Sequence, residues 1–362
     1  MNDTEVIVAG GGIAGLTLSL LLEKKGIDHV VISRKGKANS FALAETLPPS
    51  ALPLLGKLGL LELFESTAIQ KTYGYHSLWG SNAVTDHNFY FHNPFKHGLK
   101  INKAAIISHL EHQQKRHIKY YEKSFAVVSD INGVTTAFDD GALTKSIKAK
   151  LIVDATGRNR AVLGHLNIPA TNYDALMAFS CHVPRIKHPA LTHNVYIETF
   201  EEGWGIVSAL SETENVMTLF TTKKNPVQPQ LKDYENWATL LSGTTYLKDF
   251  LTESKDIKVK GSKANSSKAV ALAGDNWLAV GDAAISFDPL SSHGITNALY
   301  TAHLAATTIE KHIKQGDHTA LKAYDKLLAA IFEQYLQTKG QLYNNEKRWP
   351  VSSFWNDKNS AG

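Results

Sequence analysis

The sequence has little of what defines several protein classes. Among 362 residues there is one cysteine, Cys181, which excludes an internal disulfide framework and a CxxC redox pair. The most apolar stretch, residues 16–22, is too short to cross a bilayer and is followed directly by charges. The formal net charge of +4 is too small to indicate nucleic-acid binding. No basic leader precedes the first apolar segment, so we expect a cytoplasmic protein without a membrane association.

The order of hydrophobic patterns predicts an α/β fold. Near the N-terminus a strand (5–9), a glycine turn, a helix (13–24) and a second strand (29–33) form a unit whose crossover predicts parallel strands. Helices are predicted over 52–64 and 104–116, and strands at 125–129, 134–138, 151–153 and 277–280. Alternating segments between 176 and 222 predict an antiparallel sheet. The chain then ends in helices from 295 to about 339.

The first glycine turn, residues 10–15 (GGGIAG), fits the GxGxxG pattern between a strand and a helix. Gly10 permits the tight turn, Gly12 lets the backbone approach a pyrophosphate, and Gly15 lets the helix pack closely on the strand. The helix that starts at Ile13 and Ala14 points its unpaired N–H groups at the phosphates. The turn therefore predicts a bound dinucleotide.

The end of the second strand departs from the usual dinucleotide pattern. Ser33 and Arg34 stand where such folds place an acidic residue for the ribose hydroxyls. A serine can still hydrogen-bond a ribose, and an arginine can stack on adenine or bind phosphate. Simple solvation of both side chains is the alternative.

Two further segments add to this turn. Residues 151–158 (LIVDATGR) end a buried strand in small residues, which brings the backbone close to the dinucleotide. In residues 277–284 (WLAVGDAA) an aspartate after a strand and a glycine can hold ribitol hydroxyls. Residues 288–295 (DPLSSHGI) open a helix whose positive end would favour an anionic reduced flavin. The candidate contacts are Asp154, Ala155, Gly157, Gly281, Asp282, Pro289, Ser292, Gly294 and Ile295.

These three motifs, in this order, resemble the FAD-dependent monooxygenase superfamily with the p-hydroxybenzoate hydroxylase fold, over nearly the whole chain. The resemblance implies FAD as cofactor and a Rossmann-like FAD-binding domain of the glutathione-reductase type, with an inserted antiparallel β-sheet substrate domain and C-terminal helices. The expected FAD-binding domain is discontinuous (1–75, 100–170 and 262–340), the substrate domain comprises 76–99 and 171–261, and the tail comprises 341–362. Lys103, where the superfamily often has arginine, and Val127 are expected near the cofactor.

Within the superfamily the chain is similar to the tryptophan-halogenase-like branch. Residues 44–49 (AETLPP), with Glu45 and Thr46, resemble its flavin loop. The halogenase segment WxWxIP is missing, and residues 202–207 (EGWGIV) take its place, with Trp204 a candidate wall of the active site. Lys71 lies in the region of the halogenase lysine, but its spacing to the next glycine differs. A surface lysine is the simpler interpretation.

Residues 44–51, residues 77–81 (SLWGS) and the tail at 348–355 (RWPVSSFW) are similar to the bacterial flavoproteins that mature cysteine tryptophylquinone oxidases. This resemblance implies oxygenation of a tryptophan in a partner precursor protein. Because there is no second GxGxxG, electrons would come from transiently bound NAD(P)H or from externally reduced flavin. The candidate catalytic residues are His293, Lys71 and Trp204. His293 either transfers a proton beside the flavin or simply packs there.

Other functions stay open at this point. They are halogenation of an indole, a geranylgeranyl-reductase-like activity, and a flavin-stabilised maturation chaperone without turnover. The aromatic tail either contacts a partner or packs on its own domain. Three histidines on one predicted helix, His109, His112 and His117, lack the HExxH spacing and a cysteine, so the sequence predicts no metal site.

Overall fold

The computed structural model describes residues 2–35, 41–91, 94–122, 124–130, 133–193, 195–253 and 256–359. The strands are β1 (Asn2–Ala9), β2 (His29–Arg34), β3 (Thr46–Leu47), β4 (Ala68–Thr72), β5 (Gly74–Leu78), β6 (Thr85–Asn88), β7 (Gly98–Ile101), β8 (Ile118–Tyr121), β9 (Phe125–Asp130), β10 (Gly133–Asp139), β11 (Thr144–Asp154), β12 (Ala170–Asn172), β13 (Leu176–Pro184), β14 (Val195–Phe200), β15 (Gly203–Ala209), β16 (Glu214–Thr222), β17 (Lys260–Lys263), β18 (Ser267–Ala269), β19 (Ala273–Gly274), β20 (Trp277–Ala279) and β21 (Ile285–Ser286). The helices are α1 (Ile13–Lys24), α2 (Leu52–Leu58), α3 (Leu61–Ser66), α4 (Lys103–Gln113), α5 (Ala161–His165), α6 (Tyr234–Leu241), α7 (Gly294–Lys314), α8 (Ala320–Asn344) and α9 (Ser353–Asn359).

The first sheet has eight strands, with the central order β19-β20-β11-β1-β2-β8; β10 pairs with β11, and β9 pairs with β10. Strand β1 is parallel to both β11 and β2, which confirms the parallel crossover predicted from the sequence. Its residues 6–9 are fully buried, because helices cover both faces of such a sheet and apolar side chains are needed on each. The carboxyl ends of β1, β11 and β20 therefore lie side by side.

The second sheet has seven strands in the order β17-β13-β16-β15-β14-β5-β6. The predicted antiparallel arrangement of residues 176–222 is confirmed in β13, β16, β15 and β14. Strand β5 joins this sheet in parallel to β14, and β6 pairs antiparallel with β5. Two three-stranded sheets, β3-β7-β4 and β12-β18-β21, complete the fold.

The prediction of one continuous helix over residues 52–64 is wrong, because this segment forms two helices, α2 and α3. Gly59 has a φ of 72° and caps α2 in the left-handed conformation that glycine adopts without strain. The helices predicted over 13–24 and 104–116 are confirmed as α1 and, slightly shorter, α4. The C-terminal helical region is confirmed as α7 and α8.

The hydrophobic cores follow the sheets. One core joins the eight-stranded sheet to α1, α7 and α8, and two others lie against the seven-stranded sheet. On the basis of these separate cores we propose the domain division that was expected from the sequence. Strand β5 crosses its border between residues 75 and 76, and β17 crosses its border between residues 261 and 262.

The aromatic part of the tail packs on its own domain. Phe354 and Trp355 are 2% and 1% exposed and belong to the core that contains Trp204 and Phe220. The Trp355 indole N–H donates to the Phe200 carbonyl at 2.9 Å. A partner contact through these two buried rings is therefore excluded. The end of the expected tail, residues 360–362, lies outside the described residues.

Candidate functional site

In the glycine turn after β1, Gly10 and Gly15 leave no room for a side chain, whereas Gly12 does. A Cβ on Gly10, whose φ is 119°, would lie 2.3 Å from the Ala155 carbonyl oxygen. A Cβ on Gly15 would lie 1.9 Å from the Gly10 carbonyl oxygen. Around a Cβ on Gly12, by contrast, no atom of the described chain lies within 4 Å. The turn is thus tightly packed on its protein side and exposes bare backbone at Gly12.

Helix α1 begins at this turn. Its N-cap is Gly12, and no side chain of the described residues caps the first N–H groups, so these donors are available to an anion. Ile13 and Ala14 are buried. Ser33, at the end of β2, places its hydroxyl next to Gly11, where an added Cβ would lie only 2.6 Å away. Ser33 thus lies beside the glycine turn, and the neighbouring Arg34 is exposed.

The second motif shapes a turn beside the first. The buried Asp154 carboxylate accepts hydrogen bonds from the Thr156 N–H at 2.9 Å, the Thr156 hydroxyl at 2.6 Å and the Leu163 N–H at 3.0 Å. These hydrogen bonds tie the Asp154 carboxylate to its own turn and to α5. The Ala155 N–H donates to the Ala9 carbonyl at 2.8 Å, which fixes the turn to the end of β1. Space remains around Gly157, whose φ is 66°.

The third motif meets both of the others. A Cβ on Gly281 would lie 3.1 Å from the Cβ of Ala14, so the turn after β20 touches the start of α1. The half-exposed Asp282 carboxylate lies 3.5 Å from the Arg158 guanidinium. Arg158 also donates to the carbonyls of Asn265 at 2.6 Å and Phe287 at 3.0 Å. The sequence did not single out Arg158 as the tie between the second and third motifs.

The segment before α7 ends in a second uncapped helix terminus. Buried Asp288 accepts from the Leu290 N–H at 2.9 Å, and Ser292 has a φ of 51°. Helix α7 begins at Gly294 with the exposed His293 as N-cap, and its first turn has no capping side chain among the residues described. No atom of the described chain lies within 4 Å of a Cβ built on Gly294. Of the other predicted contacts here, Pro289 is exposed and Ile295 is buried.

The loop before β3 is held by charged side chains. The exposed Lys103 ammonium lies 3.3 Å from the Glu45 carboxylate, and the Glu45 carbonyl accepts from the Ile101 N–H at 3.0 Å. Thr46 starts β3 and pairs with Lys100. Val127, also predicted near the cofactor, is 6% exposed in strand β9 of the large core.

Lys100 is the main residue that the sequence analysis missed. Its side chain is fully buried, and its amine contacts the Ser208 hydroxyl and the Ala44 carbonyl, the latter at 3.4 Å. Ala44 itself has a φ of 49°, unusual for a residue other than glycine. Burial, with a smaller contribution from Arg185, lowers the pKa of Lys100 to about 7. A lysine inside the apolar segment GLKI (98–101) was the available signal.

Lys71 lies on the opposite face of the same small sheet. It pairs with Leu99, which in turn pairs with Leu47, and paired residues share a face. Leu47 and Leu99 are buried in the large core, whereas Lys71 is exposed at the sheet edge. Burial, with a smaller contribution from the Lys71 charge, lowers the pKa of His97. The sheet thus separates the Lys71 amine from the loop that Lys100 contacts.

Trp204 is 1% exposed and stacks on Phe220 with ring centroids 3.9 Å apart. Its indole N–H donates to the Tyr343 hydroxyl at 3.0 Å, and that hydroxyl donates to the Asp288 carboxylate at 2.8 Å. Burial and the neighbouring Asp288 raise the pKa of Tyr343 far above its usual range. Tyr343 also lines a cavity of about 420 Å³ together with Tyr173, Asp174, Lys339 and Phe354. The third motif is therefore linked to this cavity through the hydrogen bond between Asp288 and Tyr343.

These features fit FAD. A dinucleotide needs bare backbone at its pyrophosphate, which Gly12 supplies, and a polar group near each sugar chain, which Ser33 and Asp282 supply. It also needs donors at the flavin end, which the uncapped start of α7 supplies.

Within the described ranges, no helix is both long and apolar enough to cross a membrane.

The chain is similar to several flavoproteins. It is 26% identical to a protein named as an FAD-dependent oxidoreductase, LodB of Marinomonas mediterranea, over 98% of this chain and 96% of that protein. It is 24% identical to a 1H-pyrrole-2-carbonyl-[peptidyl-carrier protein] chlorinase of Pseudomonas fluorescens, over 96% of this chain and 82% of the chlorinase.

Solved structures show the same fold. The flavin-dependent halogenase CmlS has a TM-score of 0.85 at 22% identity, covering 99% of this chain and 68% of its own. The peptidyl tryptophan dihydroxylase QhpG has a TM-score of 0.76 at 20% identity, covering 98% of this chain and 78% of its own. Residues 3–339 match the family described as FAD binding domain, so the chain belongs to that family and is an FAD-dependent oxidoreductase.

Proposed function

We propose that this enzyme is a monooxygenase that hydroxylates a tryptophan side chain of a partner precursor protein during the biogenesis of a quinone cofactor. Two similarities support the proposal. LodB matches over nearly the full length of both chains. QhpG, which shares the fold, is described as a peptidyl tryptophan dihydroxylase essential for tryptophylquinone cofactor biogenesis. An indole ring is electron-rich, which suits attack by an electrophilic oxygen.

The reaction sets what the chain must provide. One hydroxylation converts a ring C–H, one O₂, two electrons and two protons into a ring C–OH and one water. When bound, FAD supplies the two-electron redox chemistry and the reaction with oxygen. The electrons come from NAD(P)H or from externally reduced flavin. The residues of this chain would bind the cofactor, orient the indole and keep water out.

Each part of the cofactor has candidate partners. The N–H groups that follow Gly12 would hold the pyrophosphate, Ser33 a ribose hydroxyl and Asp282 the ribitol chain. The first turn of α7 would stabilise negative charge on the pyrimidine edge of the flavin. His293, exposed at that helix start, is placed to exchange a proton with solvent.

The observation that carries oxygenation over halogenation is the position of Lys71. A halogenase needs an amine that receives the oxidised halogen between flavin and substrate. Here the Lys71 side chain shares a face with Leu47 and Leu99, away from the loop that contains Ala44. An amine that is exposed to solvent at this sheet edge would not meet a species formed at the flavin.

The cavity lined by Tyr343 is our candidate for the substrate side. Its volume of about 420 Å³ is in the range of small-molecule sites and sufficient for one indole. Buried Trp204 supports it through the Tyr343 hydroxyl and does not line it. In this role Trp204 is a positioning residue.

The test is to incubate the enzyme with the precursor protein of a tryptophylquinone enzyme, reduced FAD, oxygen and excess bromide, and then to weigh the precursor. We expect mass gains of one or two oxygen atoms on a single tryptophan. The matched control is Lys71→Ala, which should give the same product. A bromine isotope pattern that disappears in Lys71→Ala would establish halogenation instead. An unmodified precursor, with no consumption of oxygen or reduced FAD beyond the enzyme-free rate, would favour the chaperone role.

A further inference from the structure

The edge hairpin of the seven-stranded sheet carries a cluster that the flavin chemistry does not use. His76 of β5 is paired with Asp86 of β6, so both side chains lie on one face of the hairpin. His193, in the segment before β14, approaches the same face. One ligand atom from each of the three residues lies within 4.8 Å of the other two. We propose that His76, Asp86 and His193 form a binding site for a divalent transition-metal ion, with Zn²⁺ as the first candidate.

The orientation of His76 supports a cation between these groups. Its Nδ1 lies 3.1 Å from the Ala190 carbonyl oxygen, and because a carbonyl only accepts, Nδ1 carries the proton. In the neutral ring Nε2 then carries a lone pair, and this nitrogen lies 3.6 Å from the Asp86 carboxylate oxygen. Two acceptors that face each other repel unless a proton or a metal ion lies between them. A histidine that donates its other N–H to a backbone carbonyl is also the usual arrangement of a metal ligand.

His193 completes the set. Its Nε2 lies 2.8 Å from the same Asp86 oxygen, so this oxygen is flanked by two imidazoles. The backbone of His193 is fixed, because its carbonyl accepts from the Thr72 hydroxyl at 3.0 Å. A tetrahedral ion with bonds of about 2.0 Å holds its ligand atoms about 3.3 Å apart. The two distances to the Asp86 oxygen, 2.8 and 3.6 Å, lie on either side of this value, and the two imidazole nitrogens lie within 4.8 Å of each other.

The chemistry of the three groups selects the ion. Two imidazoles and one carboxylate suit zinc, copper, nickel or ferrous iron, whereas calcium and magnesium prefer oxygen ligands alone. The imidazoles are 14% and 16% exposed and the carboxylate is 56% exposed. The side toward solvent would therefore be completed by water. Because the ligands come from β5, β6 and the approach to β14, the ion would fasten the edge hairpin to the sheet.

The hairpin offers a matched control. His87, next to Asp86, lies on the other face, where its Nε2 is 2.9 Å from the Ser77 hydroxyl and its ring stacks on Tyr75. His87→Gln removes a neighbouring histidine without removing a proposed ligand. Asp86→Asn keeps the shape of an exposed side chain, so it should fold normally.

The test uses the full-length FAD-loaded protein, treated with EDTA, desalted and titrated with Zn²⁺ against a chromogenic chelator. We expect one Zn²⁺ per chain for the wild type and His87→Gln, and affinity lowered at least about tenfold in Asp86→Asn and His193→Ala. The melting temperature should rise with Zn²⁺ only in the first two proteins. No stoichiometric binding to the wild type, or equal affinity in all four proteins, would overturn the proposal. FAD content should be the same with and without Zn²⁺.

Discussion

Replacing Gly12 by alanine should separate cofactor binding from folding. The backbone of Gly12 has φ −85° and ψ −176°, an extended conformation that alanine adopts without strain. No described atom lies within 4 Å of the new methyl group. The free energy of unfolding of the FAD-free protein should therefore stay the same or rise by about 0.4–1 kcal/mol, because alanine restricts the unfolded chain.

The same methyl group would occupy the space where the pyrophosphate meets the backbone. If it displaces two charge-assisted hydrogen bonds of about 1.5 kcal/mol each, FAD binding weakens by about 3 kcal/mol. The dissociation constant should then rise by roughly a hundredfold or more. Titration of FAD fluorescence measures this change, and urea unfolding followed by tryptophan fluorescence measures the stability.

Gly15→Ala is the contrasting variant. Its methyl group would lie 1.9 Å from the Gly10 carbonyl oxygen, so the turn itself must move and the FAD-free protein should lose about 3 kcal/mol of stability. If Gly12→Ala bound FAD within about threefold of the wild type, the reasoning that places the pyrophosphate at this turn would be refuted.

Three further predictions concern other parts of the structure. Folding lowers the pKa of Lys100 from 10.5 to about 7, so its protonation destabilises the native state most below pH 7, and the penalty fades as the pH rises toward 10.5. Between pH 7 and pH 9 the unfolding free energy of the wild type should therefore rise by about 2 kcal/mol relative to Lys100→Met. Urea titrations at the two pH values would contradict this if the two proteins changed in parallel. Trp355→Ala should cost about 3–5 kcal/mol in the same assay, because the ring is buried, whereas Val351→Ala, 84% exposed, should stay within about 0.5 kcal/mol. Lys71→Ala should leave the yield of oxygenated precursor within about twofold of the wild type, since its side chain is exposed at a sheet edge; loss of product by mass spectrometry would count against the oxygenase assignment.

The sequence by itself determined the cofactor fold. The turn at residues 10–15, the segment 151–158 and the segment 277–295 each consist of neighbouring residues whose glycines and strand patterns act locally. Local patterns also predicted α1 to the residue and the antiparallel character of residues 176–222. The family match over residues 3–339 agrees with that prediction.

Only the tertiary structure decided what individual side chains do. Lys71 and Lys100 are both lysines in short strands, yet the register of β4 and β7 puts one at an exposed edge and the other in the core. Asp154, expected near the cofactor, is occupied by donors from its own turn and from α5.

The histidine cluster follows the same rule. His76 and Asp86 meet through strand register, and His193 joins them from a distant segment. The face to which a side chain points reverses with a one-residue shift in pairing. Which distant group it meets depends on how the sheets pack. These relations involve residues far apart in the chain, so no local pattern contains them.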